Sequence, residues 1–498
     1  MKKNDIYEIT IEDIGNDGEG IGHITEAGSD RGIAVFVKDA VIGDVASIKI
    51  IKVKKNYAYG RLMEIIKPSP YRVEARCPKA RSCGGCSIMH MSYEKQLEYK
   101  WNKVRSCLER IGGIADVADI MEPIYGMAEP YYFRNKMQFP VGLDKDGKVQ
   151  IGFYAGRTHS IIDLESCHIG HPVNDYIVTK LRNWLQKWQD KTGCFIYDEE
   201  AHKGLVRHIL TRVGFTTGEL MVCVIINGNG IGKFVGDMKC EDELRTAIEA
   251  AVQEYNQQVG VAEKTVSKPV IKLTSLSINI NRDKTNRILG DKCKTLWGED
   301  YISDYIGDIR FNISPMSFYQ VNPAQTKVLY DKAVEYAGLT GNEVVWDMYC
   351  GIGTISLSLA KKAGKVYGVE IVPQAIEDAK VNARINDLDN TEFFCGKAEE
   401  VVPAFYRGEI GGGQADAGSG KHPDVIVVDP PRKGCDAVLL DTIQAMAPKR
   451  LVYVSCDPAT LARDVKILIE KGFRLEKVSV VDQFGHSGHV ESVVQMSK

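Results

Sequence analysis

No run of this 498-residue chain is apolar over the roughly 20 residues a bilayer-crossing helix needs. The first residues, Met1-Lys2-Lys3-Asn4-Asp5, lead into alternating, strand-like sequence and not into an apolar signal core. The expected setting is the cytoplasm, with no membrane partner. Net positive charge is missing too. The formal balance is -3 at pH 7, which excludes whole-molecule attraction for nucleic acid, so any polyanion-binding surface must be local. Basic clusters of that kind occur at Lys49-Ile50-Ile51-Lys52-Val53-Lys54-Lys55 and around Arg134, Lys136 and Arg157. No repeat of roughly 20 to 50 residues is evident, which excludes solenoids and propellers.

What is present begins with 13 cysteines. Without a secretory leader they are expected as thiols, metal ligands or nucleophiles and not as a disulfide framework, and the odd count agrees. The length predicts about two to four domains. From Ile6 to Ile66, apolar residues alternate with period two between glycine turns, as in Ile33-Ala34-Val35-Phe36-Val37, predicting a small β-barrel over 1–66. Pro68 and Pro70 mark its end. Residues 67–307 read as an α+β domain, with closely spaced cysteines, a helix over Tyr93 to Ile111, and strand-like alternation around Met137 to Val141, Val149 to Tyr154, Leu205 to Thr216 and Glu219 to Asn227. Residues 308–498 alternate apolar strands and helices, the rhythm of a Rossmann-like α/β domain. Two stretches, 259–272 and the Gly/Ser/Ala-rich 411–422, read as loop additions.

In the last domain the strand Val344-Val345-Trp346-Asp347 runs into Met348-Tyr349-Cys350-Gly351-Ile352-Gly353, a glycine turn that opens a helix. Such a turn lets a ligand approach the backbone at the carboxyl edge of the sheet. The next strand ends at Glu370, placed to bind a ribose diol. A dinucleotide fingerprint has a third glycine to seat a pyrophosphate, so S-adenosylmethionine, which has no phosphate, fits better than NAD.

Two further strands end in chemistry. Val425-Ile426-Val427-Val428 stops at Asp429-Pro430-Pro431, where two prolines stiffen the exit and hold a carboxylate at the sheet edge, suited to the N3–H donor of a uracil. Leu451-Val452-Tyr453-Val454-Ser455 delivers Cys456 to the same edge. Uracil carbon 5 is too weak a nucleophile to take a methyl group unaided. A thiolate added at carbon 6 turns it into an enolate that can. A base must then remove the carbon-5 proton. Glu491 is the candidate, with His486 and His489 behind it.

Asp429-Pro430-Pro431-Arg432-Lys433-Gly434, Ser455 to Asp464, and His489-Val490-Glu491 together resemble the RNA uracil-5-methyltransferase family over nearly the whole chain. The resemblance implies Cys456 as nucleophile, Glu491 as proton acceptor, and S-adenosylmethionine contacts at Gln320, Tyr349, Glu370 and Asp429. It also implies that the N-terminal barrel is a TRAM domain, an OB-like RNA-binding module. Cys77, Cys83 and Cys86 stand as C-x5-C-x2-C, and Cys167 follows. Four thiolates hold either a [4Fe–4S] cluster or zinc, and spacing does not choose; similarity to the cysteine-bearing family members implies the cluster. The same combination resembles enzymes acting on 23S ribosomal RNA, with transfer RNA as the alternative substrate and a monomer as the expected state. Two other readings remain at this point: an exocyclic-amine methyltransferase, and a non-catalytic RNA-binding protein.

Overall fold

Period-two alternation becomes a curled sheet in the first 67 residues of this computed structural model, which describes residues 1–25, 32–156, 158–262, 269–410 and 423–498, with 259–262 described in backbone only. The strands are β1 (Ile6–Thr10), β2 (Asp13–Ile14), β3 (Gly20–Ile24), β4 (Ile33–Val37), β5 (Val45–Val53) and β6 (Tyr57–Lys67), ordered β1-β5-β6-β4-β3-β2. In β5 the alternate residues Ala46, Ile48 and Ile50 are fully buried, as the pleat requires, and meet Val35 and Val37 of β4 in one core.

Helix α1 (Tyr93–Arg110) and a short 3-10 helix (Val117–Ile120) lead into the central sheet. That sheet has the order β13-β12-β11-β10-β7-β8-β9, from β7 (Lys136–Leu143), β8 (Val149–Tyr154), β9 (Ile161–Asp163), β10 (Val206–Val213), β11 (Glu219–Ile226), β12 (Lys272–Ile280) and β13 (Lys292–Gly298). Helices α2 (Val173–Thr192), α3 (Ile231–Val235) and α4 (Lys239–Ala262) accompany it. Alternation in the sequence predicts one polar face here, yet every residue of β10 is buried. The reason is that both faces are covered. Ile209, Val222 and Val224 pack in one core with Leu181 of α2 and Ile248 of α4, while Leu210, Met221 and Cys223 join the core of the C-terminal domain. Residues 259–262, read from the sequence as loop, continue α4 instead. Residues 263–268 and the 411–422 stretch lie outside the described residues, as does Arg157.

A hairpin of β14 (Ile302–Ile306) and β15 (Ile309–Ile313) straddles position 307, where the sequence places the start of the last domain. Gly307 turns there at φ 63°, so the glycine marks a hairpin and not a linker. Beyond it come α5 (Pro323–Ala337), β16 (Val344–Asp347), α6 (Thr354–Ala360), β17 (Lys365–Glu370), α7 (Pro373–Arg384), β18 (Thr391–Cys395), α8 (Ala398–Tyr406), β19 (Val425–Val428), α9 (Ala437–Met446), β20 (Arg450–Ser455), α10 (Pro458–Glu470), β21 (Arg474–Val481) and β22 (Glu491–Ser497). The sheet order is β18-β17-β16-β19-β20-β22-β21, with β18 to β20 parallel and β22 antiparallel between β20 and β21. Reversal of β22 brings its first residue to the edge where the parallel strands end. No helix among the described residues is long and apolar enough to cross a membrane.

Candidate functional site

Along that edge lies a cleft of about 1110 Å³, and Gln320, Tyr349, Glu370, Asp429, Cys456 and Glu491 all line it. Tyr349 follows β16, Glu370 ends β17, Asp429 follows β19, Cys456 follows β20 and Glu491 opens β22. Gln320 comes from the segment before α5. Its carbonyl accepts a 3.0 Å hydrogen bond from the Asn135 side chain, and Asn322 caps α5 two residues on. Gly351 and Gly353 adopt φ 53° and 87°, and the space where a Gly351 Cβ would stand is open. Asp347, beneath the turn, accepts a 2.6 Å hydrogen bond from Ser356, and burial raises its carboxyl to about 6.

Carboxylates crowd the cleft. Burial first, then Asp347, pushes Asp429 up to about 7. Glu491 is 3% exposed, its Oε2 has no hydrogen-bond partner, and burial followed by the Asp429 charge raises it far above the usual carboxylate range. Burial, then Glu491 and Asp429, lifts the Cys456 thiol to about 11, while Arg432 pulls the other way. Asp457 caps α10 by accepting from the amides of Ala459 and Thr460, which fixes the chain just beyond the thiol.

The loop before β22 is set by distant residues. Lys100 of α1 donates to Asp482 at 2.5 Å and to the Phe484 carbonyl at 2.9 Å, and Tyr93 donates to Asp482 at 2.7 Å. Lys103 donates to the carbonyls of Gly488 and Asn16, each at 2.8 Å, which ties the N-terminal sheet to this loop. Phe484 and His489 line the cleft as a result. His486 does not: its ring packs against Tyr131 at a 33° tilt, with centroids 4.5 Å apart, and contacts Gln96. Arg432, Tyr330, Phe484 and Lys136 are lining residues that sequence reasoning did not place in the cleft. Arg432 carried a signal, adjoining Asp429-Pro430-Pro431. Phe484 carried none, because its position depends on a partner in α1.

Cys77, Cys86 and Cys167 pack around Ala80, Met89, Phe133 and Ile169. Cys83 lies close enough to contribute to their electrostatics: burial first, then Cys167, Cys83 and Cys77, raises the Cys86 thiol, and burial lifts Cys167 to about 11. Arg134 opposes the rise at Cys86. The four thiols are therefore neighbours. Among the described residues, however, no group of three or more His, Cys, Asp or Glu side chains stands in metal-holding geometry.

Residues 270–498 match the family model described as tRNA (Uracil-5-)-methyltransferase, and residues 2–63 match the TRAM domain. An uncharacterized RNA methyltransferase of Bacillus cereus is 46% identical over 499 residues, covering 100% of this chain and 98% of the relative. One from Clostridium tetani is 45% identical over 497 residues, covering 100% and 97%. The solved tRNA (uracil-54, C5)-methyltransferase of Pyrococcus abyssi, in complex with S-adenosyl-L-homocysteine, shares the fold at TM-score 0.71 and 24% identity, covering 98% of this chain and 100% of that one. The chain thus belongs to the RNA uracil-5-methyltransferase family and is an S-adenosylmethionine-dependent RNA methyltransferase with an N-terminal TRAM domain.

Proposed function

We propose that this enzyme methylates carbon 5 of a uracil in structured RNA, with 23S ribosomal RNA as substrate, and that Cys456 is its nucleophile and Glu491 its base. The observation that carries the reading is the meeting of a thiol, two buried carboxylates of raised proton affinity and a glycine turn in one cleft. An exocyclic-amine methyltransferase would need no thiol there, and a binding protein would need neither group.

Gln320, Tyr349, Glu370 and Asp429 would hold S-adenosylmethionine, which would supply an electrophilic methyl group on a sulfonium. Open space over Gly351 and the strand-end Glu370 fit a nucleoside without phosphate. The target uridine is extruded from its stack into the cleft. Cys456, its thiol proton released to solvent, then bonds through Sγ to carbon 6, and the displaced electron pair makes carbon 5 nucleophilic. Arg432 is the cation that favours the thiolate. Carbon 5 would form its bond to the methyl group as the methyl–sulfur bond breaks to leave a neutral thioether; Glu491, acting as the carboxylate, takes the carbon-5 proton, and the C6–S bond breaks to return the thiolate. A raised Glu491 suits that step, since a more basic carboxylate removes a carbon-bound proton more readily. Asp429, beside it, orients the uracil through N3–H and contacts the cofactor.

Cys77, Cys83, Cys86 and Cys167 form the ligand set of a [4Fe–4S] cluster in this proposal. All-thiol donors suit it, and Arg134 would offset its negative charge. The cluster takes no part in the methyl transfer.

A second reading, transfer RNA as substrate, draws on the description of the matching family model. Mapping 5-methyluridine in total RNA from cells with and without the protein decides. Loss at discrete large-subunit positions supports the proposal, loss from transfer RNA supports the second reading, and a change confined to methylated nitrogens refutes both.

A further inference from the structure

On the central-domain wall of the cleft, Lys136 of β7 and Arg212 of β10 are direct cross-strand partners. Like charges facing each other on adjacent strands destabilise a sheet. Arg212 is 1% exposed, and its one hydrogen bond runs from Nη2 to the Ser317 carbonyl at 3.0 Å. Its Nε and Nη1 have no partner. Buried guanidinium donors left unpaired are costly and rare. Neither cation is ion-paired to a carboxylate among the described residues: the charges acting on Lys136 are those of Arg212 and Arg134, and the group acting on Arg212 is the phenol of Tyr319. Burial and those two arginines push the Lys136 ammonium down to about 7. Arg134 differs, because it lies against Cys86 and Cys167.

Lys136 lines the cleft beside Phe318, Tyr319 and Gln320, whereas Arg212 is buried behind it, so Lys136 is the member of the pair that faces the reaction space. We propose that Lys136, with the buried Arg212 behind it, forms an anion subsite for a phosphodiester of the RNA strand that enters the cleft. It rests on the reading of the cleft as an RNA methylation site. Extruding a nucleotide draws its flanking phosphates toward the protein wall, where an ammonium in partly dry surroundings, with a second cation behind it, binds one strongly. S-adenosylmethionine is the poorer ligand for this pair. Its carboxylate travels with an ammonium and a sulfonium, and two further cations would oppose them, whereas a phosphodiester brings uncompensated negative charge. The free protein therefore holds its cations in a costly arrangement that RNA binding relieves.

The test compares wild type with Lys136→Gln and Lys136→Arg in methylation of total RNA from cells lacking the protein, alongside S-adenosylhomocysteine binding without RNA. Lys136→Gln should raise the RNA concentration for half-saturation about tenfold and leave S-adenosylhomocysteine affinity within about twofold. Its thermal midpoint should stay level or rise, because a like-charge pair is relieved, and Lys136→Arg should recover most of the RNA affinity. An unchanged RNA half-saturation overturns the proposal, as does a loss of S-adenosylhomocysteine affinity, which would assign the cations to the cofactor. Failure of Lys136→Gln to fold also overturns it, since the lysine would then be structural. Wild type that makes no 5-methyluridine refutes the proposed reaction instead, and the outcomes stay separate.

Discussion

Cys456 and Glu491 stand opposite each other at the end of a ladder. Ser455 of β20 pairs with Ser492 of β22, and one register step further out the thiol faces the carboxylate. Since β22 runs antiparallel to β20, the first residue of one strand meets the residue just past the end of the other. In the proposed reaction this puts the nucleophile for carbon 6 and the base for carbon 5 on one backbone scaffold. A strand pair holds such a spacing better than two loops can.

The electrostatics of that pair govern its reactivity. With the Cys456 thiol raised to about 11, alkylation by iodoacetamide in the free enzyme should be slow near neutrality and accelerate about tenfold per pH unit below that value. Glu491→Gln removes a charge that raises the thiol and should speed alkylation at alkaline pH. Arg432→Gln should slow it. Rates of Cys456 labelling by mass spectrometry check both signs.

Asp429 holds its proton at the expense of stability at high pH. Its folded value of about 7 exceeds the 3.8 of an unperturbed aspartate, so the folded state binds more protons between them and stability falls as pH rises through that window. Asp429→Asn should therefore raise the thermal midpoint by about a few degrees near pH 8 and leave it nearly unchanged near pH 4. Methylation should be lost in the same variant. Calorimetry at the two pH values measures the difference.

Lys100 and Asp482 are both fully buried and pair at 2.5 Å. Lys100→Met would strand the carboxylate, at a cost of about 3–5 kcal/mol. Denaturant titration should show that loss. The double variant Lys100→Met, Asp482→Leu should recover much of it, because no charge is then left unpaired.

For the cysteine set, protein purified without oxygen should carry iron and sulfide in equal amounts. Cys86→Ser should lower both while Cys107→Ser leaves them intact. Zinc in place of iron and sulfide would refute the cluster.

Much of this site was legible because its residues sit at strand ends that announce themselves. Asp429 precedes two prolines, Cys456 follows an apolar run, and Gly351 and Gly353 punctuate a strand and a helix. Local chemistry writes such features into neighbouring letters. What stayed illegible depends on residues far apart in the chain. Lys100 reaches Asp482 across 382 positions and thereby places Phe484 and His489. The facing of Lys136 and Arg212 follows from the pairing register of β7 and β10, which neither strand reveals by itself. Leu210, Met221 and Cys223 read as one face of a half-exposed sheet, and only the docked C-terminal domain accounts for their burial. His486 failed as a cleft residue for the same reason, since its ring turns toward Tyr131 and Gln96.

In the proposed reaction Cys456 bonds to the pyrimidine while Glu491 waits to release it. Glu491→Gln, incubated with S-adenosylmethionine and total RNA from cells lacking the protein, tests this directly by denaturing electrophoresis and tandem mass spectrometry of the digested adduct. A stable protein–RNA species is expected, in which the sulfur of residue 456 is joined to a uridine already carrying the transferred methyl group, and no such species when Cys456→Ala is added. Absence of the adduct, together with undiminished 5-methyluridine formation by the Cys456→Ala enzyme, would contradict it.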